Sequence, residues 1–212
     1  MIGLFGGTFN PIHYGHLRAA EELREMFPLE KVVFIPANNP PLKRDALAPS
    51  HHRFEMTRLA ITGNPGFVLS DIESKSEEAS YTVNTIGEMK RQYHGDAICF
   101  VLGLDAFLEM PKWFKADEIL VNVQLLVMAR PPIPMEKIKG SPYIDTDNIR
   151  MNDKLSQIRL KNGSHLSIAH ITPHNISSTE IRQLIMEGRT IKYLLPESVE
   201  SYIIKNELYK IR

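Results

Sequence analysis

The 212-residue sequence predicts an α/β protein built on a doubly wound, mostly parallel sheet with helices on both faces. Three observations predict it. Apolar runs of strand length alternate with segments of helical period along the chain, the pattern of a parallel sheet whose crossovers are helices. The runs Met1 to Phe5, Lys31 to Pro36 and Ala97 to Leu102 are near-continuously apolar, as strands covered on both faces are. The first of them ends in Gly6-Gly7 and passes through the turn signal Asn10-Pro11 into a helix. Strand, glycine turn, helix is the opening of a Rossmann-like fold.

From Tyr14, the residues Leu17, Ala20, Leu23 and Met26 mark one helical face, and Pro28 ends the helix. After the strand Lys31 to Pro36, residues 37–50 form a loop rich in proline and asparagine. His51 to Thr62 is a helix capped by Ser50, with Phe54, Leu59 and Ala60 available for packing; His51, His52 and Arg53 read as polar residues of its start. Phe67 to Ser70 is a short strand, and Asp71 to Ala79 a polar loop. Thr82 is a plausible N-cap for the helix Val83 to Tyr93, whose Ile86 and Met89 face inward. Ala97 to Leu102 is the most apolar strand and belongs near the centre of the sheet. Ala116 to Val121 is a short helix and Gln124 to Ala129 a strand. Pro131 to Arg150, with Pro131, Pro132, Pro134 and Pro142 and no clear period, reads as a surface excursion. Met151 to Leu160 reads as a helix and Leu166 to Ile171 as a strand. Ser177 or Ser178 caps the next helix, with Glu180 near the capping-box position, and Pro196 precedes a last helix, Glu197 to Glu207. The length suits a single domain, 1–212, whose part from about residue 176 is helical.

Composition narrows the function classes. Twenty-five basic and 25 acidic residues leave a formal net charge of zero, which argues against a grip on long nucleic acid. A small anionic ligand needs only a local cluster of cations. The lone Cys99, in an apolar strand, supports neither a disulfide framework nor a zinc site and reads as a small buried hydrophobe. His165, His170 and His174 fall at irregular spacing and are not read as metal ligands. No stretch reads as a signal peptide, and none approaches the ~18 apolar residues of a membrane helix, so a soluble cytoplasmic protein is expected, as monomer or homo-oligomer.

The chemistry concentrates at strand ends. Gly6 and Gly7 let another molecule approach the backbone closely. The helix after them presents unpaired N–H groups and the positive end of its dipole, a ready anion site. His13 and His16, three apart, come to the same side of that helix start and suit a polyphosphate. Gly103-Leu104-Asp105 follows the central strand, where the acid either accepts from ribose hydroxyls or caps the next helix. Lys43 and Arg44 lie in a loop that begins at a strand end and either reach back to a phosphate or stay solvated. Trp113, the only tryptophan, either stacks on a heteroaromatic ring or packs in the core. The start of the helix at Ser177 offers hydroxyls and free N–H groups, and Arg182 adds a forked cation. Strand-end sites at Gly6 to His16, Gly103 to Asp105 and Ser177 to Arg182 would meet at one crevice. The dinucleotide fingerprint G-x-G-x-x-G does not occur there, which weakens an oxidoreductase reading.

Gly6-Gly7-Thr8-Phe9-Asn10-Pro11-Ile12-His13-Tyr14-Gly15-His16 resembles the first signature of the H-x-G-H nucleotidyltransferases, and Ile176-Ser177-Ser178-Thr179-Glu180-Ile181-Arg182 resembles their second. Pro40-Pro41-Leu42-Lys43, Ser80-Tyr81-Thr82, Gly103-Leu104-Asp105, Trp113 and Ala129-Arg130-Pro131 fall between them in the order of the bacterial nicotinate mononucleotide adenylyltransferases, and the resemblance covers nearly the whole chain. The residue after Arg130-Pro131 departs from the glycine expected there. The resemblance implies AMP transfer from ATP to nicotinate mononucleotide in NAD biosynthesis, giving deamido-NAD and pyrophosphate, with Mg²⁺ carried on ATP. It implies that His13, His16 and Arg182 are catalytic. It places Gly6, Gly7, Phe9, Ile176, Ser178 and Thr179 with them around ATP, and Gly103 and Asp105 on its ribose. Thr8 and Lys43 would meet the mononucleotide phosphate, Thr82 and Trp113 its ring, and Arg130 would also serve the mononucleotide. Relatives that use phosphopantetheine or glycerol phosphate share the histidine element but are shorter, and would not explain Ser80-Tyr81-Thr82 together with Trp113. A nicotinamide mononucleotide acceptor is an alternative within the same chemistry. A non-catalytic nucleotide-binding module is a further one, though such a chain would more readily have lost one of the two histidines.

Overall fold

Alternating side chains on shared strands produce two apolar faces, and both are covered. The computed structural model describes residues 1–41, 47–76, 78–129, 134–150 and 155–210. The strands are β1 (Ile2–Gly7), β2 (Lys31–Pro36), β3 (Phe67–Leu69), β4 (Ile98–Gly103), β5 (Gln124–Ala129), β6 (Ile144–Arg150), β7 (Leu155–Leu160) and β8 (His165–His170). The helices are α1 (Tyr14–Met26), α2 (Ser50–Ile61), α3 (Thr82–Gln92), α4 (Leu104–Glu109), α5 (Ala116–Asn122), α6 (Ser178–Met186) and α7 (Glu197–Lys205). Among the described residues one eight-stranded sheet runs in the order β3-β2-β1-β4-β5-β8-β7-β6. β3, β2, β1, β4, β5 and β8 are joined by parallel pairings; β7 runs antiparallel to β8, and β6 to β7. Leu4, Val33, Ile35, Phe100 and Leu102 point to a core under α3, α4 and α5. Phe5, Val32, Phe34, Cys99 and Val101 point to the opposite core, which takes Ala20 and Leu23 of α1, Met56 of α2, Ile181 of α6 and Val199 of α7. This is the expected doubly wound arrangement, with β4 in the middle of the sheet.

Chain order reverses between β1 and β4. β1 continues to β2 on one side, whereas β4 lies on its other side. At such a switch point the crossovers diverge and leave a crevice beyond the strand C-termini. Gly6 and Gly7 end β1, and Gly103 ends β4, so the fold delivers both to that crevice.

The structure corrects several expectations. The helix expected over 151–160 is replaced, in its described part, by a strand: Leu155–Leu160 is β7, and the buried positions Ser156, Ile158 and Leu160 alternate with exposed Gln157 and Arg159, while 151–154 lie outside the described residues. The buried serine hides the two-residue period from a reading of apolar residues. Within 131–150 lie a 3-10 turn at Met135–Gly140 and strand β6, so this stretch extends the sheet rather than only running over its surface. Ser50 is the first residue of α2, with Pro49 at the cap position. Thr82 likewise begins α3, and Tyr81 occupies the cap. The buried face of α2 is Arg53, Met56, Thr57 and Ile61; half-buried Leu59 and Ala60 pack against the core as expected, and Phe54 is half-buried. Met26 in α1 is exposed.

Leu4 is completely buried in the middle of β1. Leu4→Ala is expected to cost about 2–5 kcal/mol through lost burial and a residual cavity. Urea titration should show a lower midpoint at unchanged slope; a loss below about 1 kcal/mol would contradict a packed two-sided sheet.

Candidate active site

The turn after β1 is held in a conformation that few side chains adopt freely. Phe9 has φ of +45°, in the left-handed region that disfavours residues with a Cβ. Its ring is fixed by edge contacts with Phe5 at 5.6 Å and His16 at 5.3 Å, and by Phe34 at 5.8 Å. A Cβ on Gly7 would lie 2.8 Å from that ring, so Gly7 makes room for Phe9 as well as for a ligand. The following residue, Asn10, is almost wholly buried. Its side-chain oxygen accepts from the Ala48 N–H at 3.0 Å and from the Tyr209 hydroxyl at 2.8 Å. Burial pushes the Tyr209 phenol well above its ordinary value, against the pull of Arg182 and Arg53, so it remains a donor.

The two histidines meet as the spacing predicts. Their rings stack at 3.8 Å with 29° between planes. His13 occupies the N-cap position of α1 and is buried, while half-buried His16 reaches the crevice. Gly15 explains how they fit. A Cβ there would stand 3.0 Å from His13 Cε1 and Nδ1 and 3.5 Å from the Ile176 carbonyl oxygen. The Ile176 backbone thus lies beside Gly15, between the two histidines in sequence.

The second signature arrives from α6. Ser177 caps the helix, its hydroxyl accepting from the Glu180 N–H at 3.1 Å. The Ser178 hydroxyl donates to the Pro11 carbonyl at 2.8 Å, and Arg182 Nη1 donates to the Asn10 carbonyl at 2.8 Å. Arg182 Nη2 lies 3.3 Å from Thr179 Oγ1. At the end of β4, Asp105 sits exposed in the first turn of α4, and its carboxylate leans over Gly103 where any Cβ would clash with it.

These groups line two cavities with a common rim. One, of about 460 Å³, is lined by Phe9, His16, Ser178, Thr179 and Arg182. The other, of about 510 Å³, is lined by Ser80, Tyr81, Thr82, Trp113 and Phe114. Gly6, Gly7, Thr8, Gly103, Asp105 and Ala106 border both. Among the described residues Asp105 is the one carboxylate on the first cavity, whereas Glu73 and Glu109 join it on the second. Trp113 is partly buried against the core, as the packing expectation has it, and also lines this cavity. The expected site residues Lys43 and Arg130, and Arg44 beside the former, lie outside the described residues.

Three contributors were missed by sequence reading. Arg53 looked like a polar helix start, yet it is 2% exposed and inserts between the exits of β1 and β2. Asn10 was read only as part of a turn, and Tyr209 carried no signal. The first could have been suspected from the charged residue one turn before Met56 and Thr57 on a buried helix face.

Comparison with known proteins finds relatives over nearly the whole chain. A family model described as cytidylyltransferase-like matches residues 4–184. A probable nicotinate-nucleotide adenylyltransferase of Thermoanaerobacter sp. is 42% identical over 99% of this chain and 94% of its own. One of Geotalea daltonii is 42% identical over 98% of this chain and 97% of its own. The crystallised Plasmodium falciparum nicotinic acid mononucleotide adenylyltransferase complexed with NaAD has a similar fold, with a TM-score of 0.74 at 21% identity, covering 98% of this chain and 96% of that one.

Gly15→Ala is expected to displace the His13 ring and with it His16. Binding of a nucleoside triphosphate, read by calorimetry, should weaken about tenfold, since small misplacements of positioned groups are costly. Unchanged affinity in a folded variant would remove the histidine stack from the ligand site.

Proposed function

We propose that this chain, which belongs to the cytidylyltransferase-like family and within it to the nicotinate-nucleotide adenylyltransferases, joins ATP to nicotinate mononucleotide across the rim between its two cavities. The observation that carries the reading is that rim: two lobes of nucleotide size meet at Gly6 to Thr8 and Gly103 to Ala106. ATP occupies the lobe of His16, Ser178, Thr179 and Arg182. The mononucleotide occupies the lobe of Thr82 and Trp113. Their phosphates meet over the glycine turn.

The reaction forms a bond between a mononucleotide phosphate oxygen and the α-phosphorus of ATP, and breaks the bond from that phosphorus to the bridging oxygen. The products are deamido-NAD and pyrophosphate, as NAD biosynthesis requires. The attacking phosphate has a second pKa near 6, so at neutral pH it is already mostly ionised and needs no general base. The site's task is alignment and charge stabilisation. His16, with His13 stacked behind it, and Arg182 supply donors to the ATP phosphates. The hydroxyls and N–H groups at the start of α6 add to them, Thr8 takes the mononucleotide phosphate, and Asp105 accepts from the AMP ribose. Lys43 and Arg130 are assigned to the mononucleotide on the motif alone. Phe9 and Ile176 shape the floor by packing.

Mg²⁺ suits this site as a companion of ATP. Among the described residues no group of three or more His, Cys, Asp or Glu is placed to hold a metal ion, and Mg²⁺ favours phosphate oxygens and water over an all-protein cage. When bound with ATP it neutralises phosphate charge.

The defining experiment is pyrophosphate release from ATP and Mg²⁺ with nicotinate mononucleotide or its amide. Strong preference for the acid is expected; release with neither would overturn the assignment. His16→Ala is expected to lower kcat by about 10²–10³, as the loss of one transition-state donor does, with the fold intact by circular dichroism. Activity within a few-fold of wild type would remove His16 from the mechanism. Trp113→Ala should raise the mononucleotide KM more than the ATP KM, whereas equal effects would assign Trp113 to the core.

A further inference from the structure

Two hydrogen-bond systems hold the crevice and meet at Ala48, whose carbonyl accepts from Arg53 and whose N–H donates to Asn10 Oδ1. On the ATP side, α6 holds the carbonyls of Asn10 and Pro11. On the other side stands Arg53, which lines neither of the two lobes. Its Nε donates to the Ala48 carbonyl at 2.9 Å, Nη1 to the Thr8 carbonyl at 3.0 Å and to that of Ala37, and Nη2 to the Asn38 carbonyl at 2.9 Å. Burial disfavours its charge, but an arginine stays protonated, and among the described residues no carboxylate forms an ion pair with it. The cation is therefore solvated by carbonyls that the ends of β1 and β2 provide.

The chain continues from there to the second lobe. Next to Asn38, the Asn39 N–H donates to the Ser80 hydroxyl at 3.0 Å and the Ser80 N–H donates to the Asn39 carbonyl at 3.0 Å. The Asn38 side chain donates to the Ser76 carbonyl at 2.7 Å. Ser80 leads directly into Tyr81 and Thr82, the start of α3 and the ring end of the lobe. One guanidinium thus fixes Thr8 at one end of the mononucleotide and, through Asn38, Asn39 and Ser80, Thr82 at the other.

We propose that Arg53 is a positioning residue for the mononucleotide lobe and not for the ATP lobe, setting the separation of Thr8 and Thr82 through this chain; the proposal rests on the lobe assignment above. A lysine cannot replace it, because one ammonium cannot reach four carbonyls arranged around a planar fork. The ATP side is expected to tolerate the change because Asn10, although it also accepts from the Ala48 N–H, keeps anchors in Arg182 and Tyr209 that do not pass through Arg53.

Trp113, the only tryptophan, gives a direct readout in the lobe concerned. In the full-length enzyme, Arg53→Lys should raise the nicotinate mononucleotide Kd from Trp113 fluorescence, and its KM, about tenfold, as loss of positioning does. The ATP KM should stay within about twofold. Ser80→Ala, which removes the side-chain one of the two Asn39–Ser80 hydrogen bonds and so weakens the chain downstream, should shift the same constants in the same direction, and the double variant should be less than additive. If Arg53→Lys does not fold, Ser80→Ala alone decides: unchanged mononucleotide binding overturns the proposal. Equal shifts for both substrates in a folded Arg53→Lys, or fully additive variants, also overturn it. Wild-type enzyme that neither changes fluorescence with nicotinate mononucleotide nor releases pyrophosphate would refute the lobe assignment itself, and this proposal with it.

Discussion

Two hydrogen bonds join α6 to the turn after β1: Ser178 Oγ to the Pro11 carbonyl and Arg182 Nη1 to the Asn10 carbonyl. The crevice depends on them. The neutral Ser178 bond is worth only about 0.5–1.5 kcal/mol net and the charged Arg182 bond at most about 1.5–3 kcal/mol, so they do not hold α6 in place by themselves. Ile181, fully buried against the sheet, and half-buried Leu184 and Ile185 supply that larger share through apolar burial. The two polar bonds instead set where along the turn the helix starts. That placement brings an arginine and two hydroxyl side chains beside the histidine stack.

A second tie works in parallel. Buried Glu22 of α1 accepts from the Thr172 N–H at 2.7 Å and from Arg18 Nε at 2.7 Å. Burial alone would raise its pKa, but the Thr172 and Arg18 bonds outweigh it and leave the carboxyl below its ordinary value. The contribution to stability is therefore present at neutral pH and is lost as pH falls through that lowered value. The segment that leaves β8 for α6 is thus fastened to the helix bearing His13 and His16. First and second signatures share a support as well as a cavity.

The division of labour between supports has a chemical logic. Phosphoryl-type transfer asks little covalent work of a protein and much alignment. Two substrates must be held independently, yet their phosphates must meet. α6 and the β1 turn frame one lobe, α3 and the β2 exit frame the other, and the shared rim is three glycines with Thr8, Asp105 and Ala106. Below the rim the Phe5, Phe9 and Phe34 rings pack against one another.

Much of this was legible in the residues. Continuous apolar runs identified β1, β2, β4 and β5, the Gly6-Gly7 and His13-Gly15-His16 spacing located the crevice, and Ser177 with Glu180 marked the cap of α6. The β6–β7 strands were not legible, because buried Ser156 and exposed Gln157 and Arg159 break the apolar pattern from which the period is read. Nor was Arg53. Local sequence determines which segments can pair, turn and cap, because those preferences act within a few residues. Only the tertiary structure decided that Arg53 is buried: its acceptors at Thr8, Ala37, Asn38 and Ala48 come from separate segments, and a cation can leave water only once the fold has gathered enough carbonyls to replace it.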